Sequence, residues 1–396
     1  MESPIRVLPI ALTFRIACVV SAGNATCRVA TLACLTLLAG CSGSNNGIAQ
    51  NQPQASIPFQ ELYDQGIDRY LDKYSPMLTE SEGDVVVHTF GTGDGPLCIY
   101  GEPYRMATRD TGSSELMIYL QGGGRCASDS CEVIFPAGWR GIRERGILDT
   151  TRQGNPVASW STAFVPYCDG GFHVSDADVD SDGDGKPDRF QRGLHNLSAA
   201  LDVAAATFPS PGRILLAASS AGAYGSQFAL ALVRKLYPEV PIEFVNDSGV
   251  GLLKQDNPAF VRTLLNEWNA NAFIPASCTT CIGADGHLTD YYKWALEQDS
   301  NFRLGMMSFK QDRYIHTSWF SSVESFEQTL HAELSELENV YPARVHSFLA
   351  TGTDHAILVD GLDSNNALDA TAGGVTAMDW LTSMLQGSAE WVSYSD

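Results

Sequence analysis

The sequence predicts an α/β fold: a mostly parallel central sheet with helices on both faces, in a single domain. Three observations carry that prediction. From about residue 59 onward, apolar runs of five to eight residues alternate with amphipathic segments. Those runs are uninterrupted, the pattern of strands buried on both faces rather than one. One of them, 213–218, passes through a Ser-Ser-Ala-Gly turn straight into a helical pattern.

The elements follow in order. A first helix is predicted over 59–75, where Leu62, Ile67, Tyr70, Leu71 and Tyr74 make an apolar stripe. Strands are predicted at 84–90, 116–121, 163–167, 213–218, 242–246, 302–309 and 345–351, and helices at 192–207, 221–236, 257–269, 288–298, 325–340 and 375–386. No internal repeat or interdomain linker divides them, so residues 58–396 read as one domain.

Composition excludes several partners. The 396 residues are 44% hydrophobic and 10% aromatic, enough for a sizeable core, and the formal net charge is −21. That acidity argues against nucleic acid, which needs a basic surface, and against electrostatic docking on an anionic membrane. A monomer is expected.

The first forty residues differ from the rest. Arg6, Arg15 and Arg28 precede the apolar stretch from Ala30 to Gly40, and no acid follows Glu2. A basic region, a short apolar core and small residues before a cut describe a secretory signal peptide. The apolar run is too short to span a bilayer, and the earlier stretch from Val7 to Gly23 is broken by Arg15. Leu38-Ala39-Gly40-Cys41 resembles the lipobox of bacterial lipoproteins, which implies lipidation of Cys41 and membrane attachment only through that lipid. Ser42 after Cys41 points to the outer membrane. Residues 41–57 are polar and low in complexity, a flexible tether.

Export changes the cysteine count. Cys18, Cys27 and Cys34 leave with the leader, and Cys41 takes the lipid. Six remain at 98, 126, 131, 168, 278 and 281, an even number in an oxidising compartment, so three disulfides are expected. Spacing alone favours only Cys126–Cys131 and Cys278–Cys281 as local loops. A metal site on Cys278-Thr-Thr-Cys281 is the rival, and it lacks a second nearby cysteine pair.

Chemistry concentrates around Ser220. Strand, sharp turn and helix is the context in which a serine hydroxyl is lifted out at the carboxyl end of a sheet. Ala218 stands where such elbows carry their first glycine. The bland alternative is an ordinary Ser-Ser helix cap. A second element tips the balance: the strand at 116–121 runs into Gly122-Gly123-Gly124-Arg125-Cys126. Glycines there free backbone N–H groups for an oxyanion, and a Cys126–Cys131 bond would fasten the loop.

His355 lies just past the last strong strand, where a general base belongs. His346 is within a strand and His331 on a helix, while His88, His173 and His195 precede the nucleophile. Asp312, Asp247 and Asp354 are the candidate acids. Asp354 adjoins His355 and points elsewhere by expectation; Asp247 follows its strand too closely and suits a pocket wall or turn cap. Asp312 follows the strand at 302–309, so Ser220, Asp312 and His355 stand in the order of the α/β-hydrolase triad.

These residues resemble the pectin acetylesterase (Notum-like) carboxylesterase family over roughly 98–360. The resemblance rests on Cys98, Tyr119-Leu-Gln-Gly-Gly-Gly-Arg-Cys126, Val165-Pro-Tyr-Cys168, Ser219-Ser220-Ala221-Gly222 and Asn246-Asp-Ser-Gly249. It implies an α/β-hydrolase-like fold with Ser220 as nucleophile, Asp312 as acid, His355 as base, and Gly123, Gly124 and Ala221 as oxyanion donors. It also implies Cys98–Cys168 and Cys126–Cys131 bonds, leaving Cys278 with Cys281. Gly124-Arg125 departs from the aromatic residue usual in the family's glycine loop, as do Ala218 and Gly222-Ala223 from its glycines, which bears on acyl specificity.

The densest charge run, 176–188, reads as an insertion after Cys168. Asp180, Asp182, Asp184 and Asp188 fit positions one, three, five and nine of an EF-hand-like loop, although Gln191 stands where a bidentate acid belongs. A structural Ca²⁺ is expected there against the alternative of a solvated acidic loop; catalysis needs no cofactor. The expected function is a secreted serine esterase acting on an O-acetylated carbohydrate. A lipase-like or polyester-cleaving carboxylesterase would use the same residues. A non-catalytic, calcium-dependent surface binding module would share the fold, but would have no reason to keep Ser, Asp and His in order.

Overall fold

The computed structural model describes residues 57–359 and 366–396. The leader, Cys41 and nearly all of the tether therefore lie outside the described residues. Among the described residues, no helix is long and apolar enough to cross a membrane.

The core is a ten-stranded sheet. Its strands are β1 (Leu78–Glu82), β2 (Val85–Thr89), β3 (Arg105–Arg109), β4 (Glu115–Leu120), β5 (Ser161–Val165), β6 (Arg213–Ser219), β7 (Ile242–Asp247), β8 (Phe302–Phe309), β9 (Val345–Ala350) and β10 (Tyr394–Ser395). They lie in the order β1-β2-β3-β5-β4-β6-β7-β8-β9-β10. The first three pair antiparallel with one another, and β3 pairs antiparallel with β5. From β5 onward every pairing is parallel.

Helices cover both faces, and the period-two alternation of the strands sorts the core into two layers. Ile118, Leu216, Phe244 and Leu304 face one layer, with Leu197 and Leu201 of α2 (Gly193–Thr207) and Phe228 and Leu232 of α3 (Ala221–Leu236). Met117, Leu215, Val245, Met307 and Phe348 face the other, against Trp380, Leu381 and Met384 of α8 (Ala377–Gln386). Between them come α4 (Pro258–Glu267), α5 (Thr289–Gln298), α6 (Arg313–Trp319) and α7 (Val323–Val340).

All seven predicted strands are present within two residues of their expected limits, as are the six helices from 192 onward. The first helix is a correction: α1 covers only Gln60–Asp64. Gly66 and Asp72 both take positive φ, at 79° and 60°, which stops the helix and turns the chain. The apolar stripe still reaches the core, since Leu62 and Ile67 are buried. The antiparallel edge was not predicted. β1, Leu-Thr-Glu-Ser-Glu, is exposed at nearly every residue, and β3 begins and ends with arginine.

Among the described residues three disulfides are formed: Cys98–Cys168, Cys126–Cys131 and Cys278–Cys281. The pairing of Cys278 with Cys281 replaces the metal-site alternative for those two residues.

Candidate active site

Ser220 sits between β6 and α3 with φ 57° and ψ −127°. A non-glycine residue there is strained, and its neighbours explain how the turn is held. The Ser220 amide donates to the Asp247 carbonyl at 2.8 Å. The elbow also packs closely against the end of β4. A Cβ on Gly222 would lie 2.3 Å from the Leu120 carbonyl oxygen, and one on Gly122 would lie 2.4 Å from that of Ser219. Glycine is required at both positions, while Ala218 fits without strain of this kind.

Three side chains from three strand ends converge. Ser220 Oγ is 2.7 Å from His355 Nε2, and His355 Nδ1 is 2.7 Å from Asp312 Oδ2. Asp312 is fully buried just beyond β8 and also caps α6, its Oδ1 accepting from the Tyr314 and Ile315 amides at 3.0 and 3.1 Å. His355 is 5% exposed. Burial disfavours its imidazolium, but the charge and hydrogen bond of Asp312, with Asp247 and Asp354, more than offset this and raise its pKa above the ordinary 6.5. With Asp312 at Nδ1, the neutral ring presents Nε2 as acceptor to the serine hydroxyl. The group can thus deprotonate Ser220.

The other candidates are elsewhere. Asp354 accepts from the His355 amide, not from its ring. Asp247 accepts from the amides of Ile357 and Leu358. His88 Nε2 pairs with Thr108, His173 Nε2 with the Gln121 carbonyl, and His195 lies between Tyr74 and Asp176. His331 is on α7 and His346 in β9, as expected.

Two cavities meet at Ser220 and His355. One, of about 270 Å³, is lined by Gly123, Tyr119, Phe135, Leu148, Phe164 and Val359. The other, of about 310 Å³, is lined by Gly124, Ala221, Glu132, Arg125, Tyr314 and Trp319. The three expected oxyanion residues thus border the nucleophile, one in the first cavity and two in the second. Arg125, in the place of the expected aromatic residue, pairs with Asp129 at 2.7 and 2.8 Å and lies over the Trp319 ring at 5.1 Å. Directly after the glycine loop, Cys126–Cys131 closes a hairpin of Gly124–Cys126 with Cys131–Val133. Sequence reasoning missed the cavity residues Ile134, Phe135 and Leu148, which carry no motif and reach the site through loop packing.

The acidic run forms a loop between the short strands Ala177–Val179 and Arg189–Gln191. Asp180, Asp182 and Asp184 each bring a carboxylate oxygen within 4.8 Å of the others, a donor set that fits a hard cation. Asp188 is a correction. Its carboxylate turns to Ser181, accepting from the hydroxyl at 2.8 and 2.6 Å, because the hairpin places that serine beside it. Gln191 is buried and donates to the Cys126 carbonyl.

Residues 92–280 match the family model described as pectinacetylesterase. That span holds the glycine loop, Ser220 and Asp247, and ends before Asp312 and His355. No curated protein matches the chain. Over residues 92–280, and in a mostly parallel α/β sheet with helices on both sides, this chain is similar to the pectinacetylesterase family, a similarity that supports a carboxylesterase hydrolase.

Proposed function

We propose that the protein is a serine carboxylesterase that removes O-acetyl groups from a polysaccharide. The observation that carries this reading is the unbroken hydrogen-bonded series from Ser220 Oγ through His355 to Asp312, with both links at 2.7 Å. In the proposed reaction Ser220 Oγ attacks the ester carbonyl carbon while His355 Nε2 takes its proton. Asp312 holds the ring and offsets the imidazolium charge. Backbone N–H groups of Gly123, Gly124 and Ala221 receive the oxyanion at the amino end of α3. Collapse of the tetrahedral intermediate breaks the bond to the alcohol oxygen, which leaves with the proton from His355. Water, deprotonated by His355, then attacks the acyl-enzyme and releases the acid and Ser220.

One observation favours a second reading, a lipase-like or polyester-cleaving carboxylesterase. The 270 Å³ cavity is lined largely by apolar side chains, and an acetyl group adds only one methyl beyond its carbonyl. A water molecule takes about 30 Å³ of the liquid, so the cavity has room for several more carbons. Hydrolysis of p-nitrophenyl esters from C2 to C12 by the wild type and by Ser220→Ala decides between them. Loss of activity in the variant supports the serine mechanism, and the preferred chain length selects the acyl group. A wild type that neither hydrolyses any ester nor labels with a fluorophosphonate probe would favour the binding module.

The same proposal makes the protein a monomeric, exported lipoprotein, anchored in the cell envelope by Cys41. Its support is the leader sequence, and the mass of the mature amino-terminal peptide tests it. A structural Ca²⁺ held by Asp180, Asp182 and Asp184 completes the proposal.

A further inference from the structure

Two strands supply a carboxylate near the base, and only one of them touches the imidazole. Asp312 follows β8; Asp247 ends β7, between β6 and β8, with Ser219 of β6 directly across the register. Asp247 is fully buried. Its Oδ2 accepts from the Ile357 amide, the Leu358 amide and Ser219 Oγ, all at 2.8 Å. Its Oδ1 accepts from the Ile357 amide at 2.9 Å and Ser248 Oγ at 3.2 Å. Every one of these partners donates, so the carboxylate is matched as an acceptor of hydrogen bonds alone.

The placement of these bonds matters more than their number. Non-glycine residues at positive φ persist only where their surroundings hold them. Three such residues surround Asp247: Ser220 at φ 57°, Ser248 at 58° and Ala356 at 72°. The Asp247 carbonyl receives the Ser220 amide at 2.8 Å. Its carboxylate grips the two residues after Ala356, and Ala356 itself donates to Ser248 Oγ at 3.2 Å. One residue therefore ties down the backbone of the nucleophile and the backbone that carries the base. The network also reaches the first cavity, since Tyr119 in its wall donates to Ser219 Oγ at 2.8 Å.

We propose that Asp247 is a positioning residue for the reaction: it holds the His355 loop and the Ser220 turn in register, so that Nε2 and Oγ stay within hydrogen-bond reach. This rests on the esterase reading above. A carboxamide at this position would turn an N–H group toward converging donors, so Asp247→Asn loosens the clamp without changing side-chain size. In the full-length protein, Asp247→Asn is expected to lower kcat by about 10²-fold, the cost of a displacement near 1 Å, with KM within about twofold of wild type. The far-downfield proton resonance of the His355 Nδ1–H, recorded in acid where the ring is protonated, should broaden or vanish.

Near-UV circular dichroism establishes whether the variant is folded. A folded Asp247→Asn with unchanged kcat and an intact downfield resonance overturns the proposal, as does a rise in KM alone. If that variant does not fold, Ser248→Ala carries the test, because it removes only the link between Asp247 and the Ala356 amide. A reduced kcat with a broadened resonance then supports the proposal, and wild-type values for both overturn it. A wild type that cleaves no ester would sink the esterase reading, but the resonance would still decide whether Asp247 sets the position of His355.

Discussion

Asp312 divides its carboxylate between a histidine and a helix: Oδ2 lies 2.7 Å from His355 Nδ1, and Oδ1 accepts the first two free amides of α6. The acid is therefore fixed before the histidine reaches it. An asparagine keeps a capping oxygen but, with its N–H₂ toward Nδ1, favours the wrong histidine tautomer. Asp312→Asn is expected to lower kcat by about 10⁴-fold. Asparagine caps helices about as well as aspartate, so at a pH above the folded-state pKa of His355, where the ring is neutral, stability should change by less than about 0.5 kcal/mol. Steady-state kinetics beside urea unfolding checks both halves.

The environment of His355 sets the pH profile. Asp312, Asp247, Asp354 and the Tyr314 ring, 5.2 Å away, face it. Its pKa is raised, and only the neutral ring accepts the serine proton. The log of kcat/KM should thus rise with pH and level off only above a midpoint higher than 6.5. Stability runs the other way: the contribution of protonated His355 beside Asp312 is fully present below about 6.5 and is lost as pH rises through the folded-state pKa. An acid limb centred at or below 6.5 would count against this electrostatic account.

The buried strands were legible because their apolar runs are uninterrupted, and Ser220 was legible because strand, turn and helix abut in sequence. Chain order did not separate Asp312 from Asp247, since both lie between Ser220 and His355; only the closeness of Asp247 to the end of its strand did. What distinguishes them physically is direction, since Asp247 meets the main chain after the histidine and Asp312 meets its ring. Such direction depends on how loops return to a sheet, which no local pattern encodes. The helix expected over 59–75 failed for a related reason: periodicity registered the burial of Leu62 and Ile67, but not the left-handed turns at Gly66 and Asp72.

The acidic loop gives a metal-dependent expectation. Only Asp180, Asp182 and Asp184 converge. After treatment with EDTA, added Ca²⁺ should raise the melting temperature, by about 2.7 kcal/mol of stability at a hundredfold excess over Kd. Asp182→Asn and Asp184→Asn should abolish that gain. Asp188→Asn should leave it, because Asp188 is committed to Ser181. A melting temperature indifferent to Ca²⁺ in the wild type would leave the loop as a solvated turn.

The disulfides should rank by the chain they close. Cys98–Cys168 spans 70 residues and Cys126–Cys131 spans 5. Loop-closure entropy then assigns about 4 kcal/mol to the first and about 2 kcal/mol to the second. Urea unfolding of the two double Cys→Ala variants should reproduce that order. The short bond should nonetheless matter more to activity relative to its stability, because it closes the hairpin that begins at Gly124.

Leu148 tests what the first cavity holds. It is buried and lines the 270 Å³ space beside Ser220. Each buried methylene contributes about 0.8 kcal/mol, so kcat/KM should rise about fourfold per added carbon until the cavity is filled, if acyl chains enter it. Leu148→Phe removes part of that space and should shift the optimum toward shorter esters while leaving the C2 rate within about threefold, because the acetyl methyl lies nearest the serine. An enzyme built for acetyl groups alone would instead prefer C2 in both proteins. Comparing the two chain-length profiles therefore separates an acetylesterase from a longer-chain esterase, without requiring the natural alcohol.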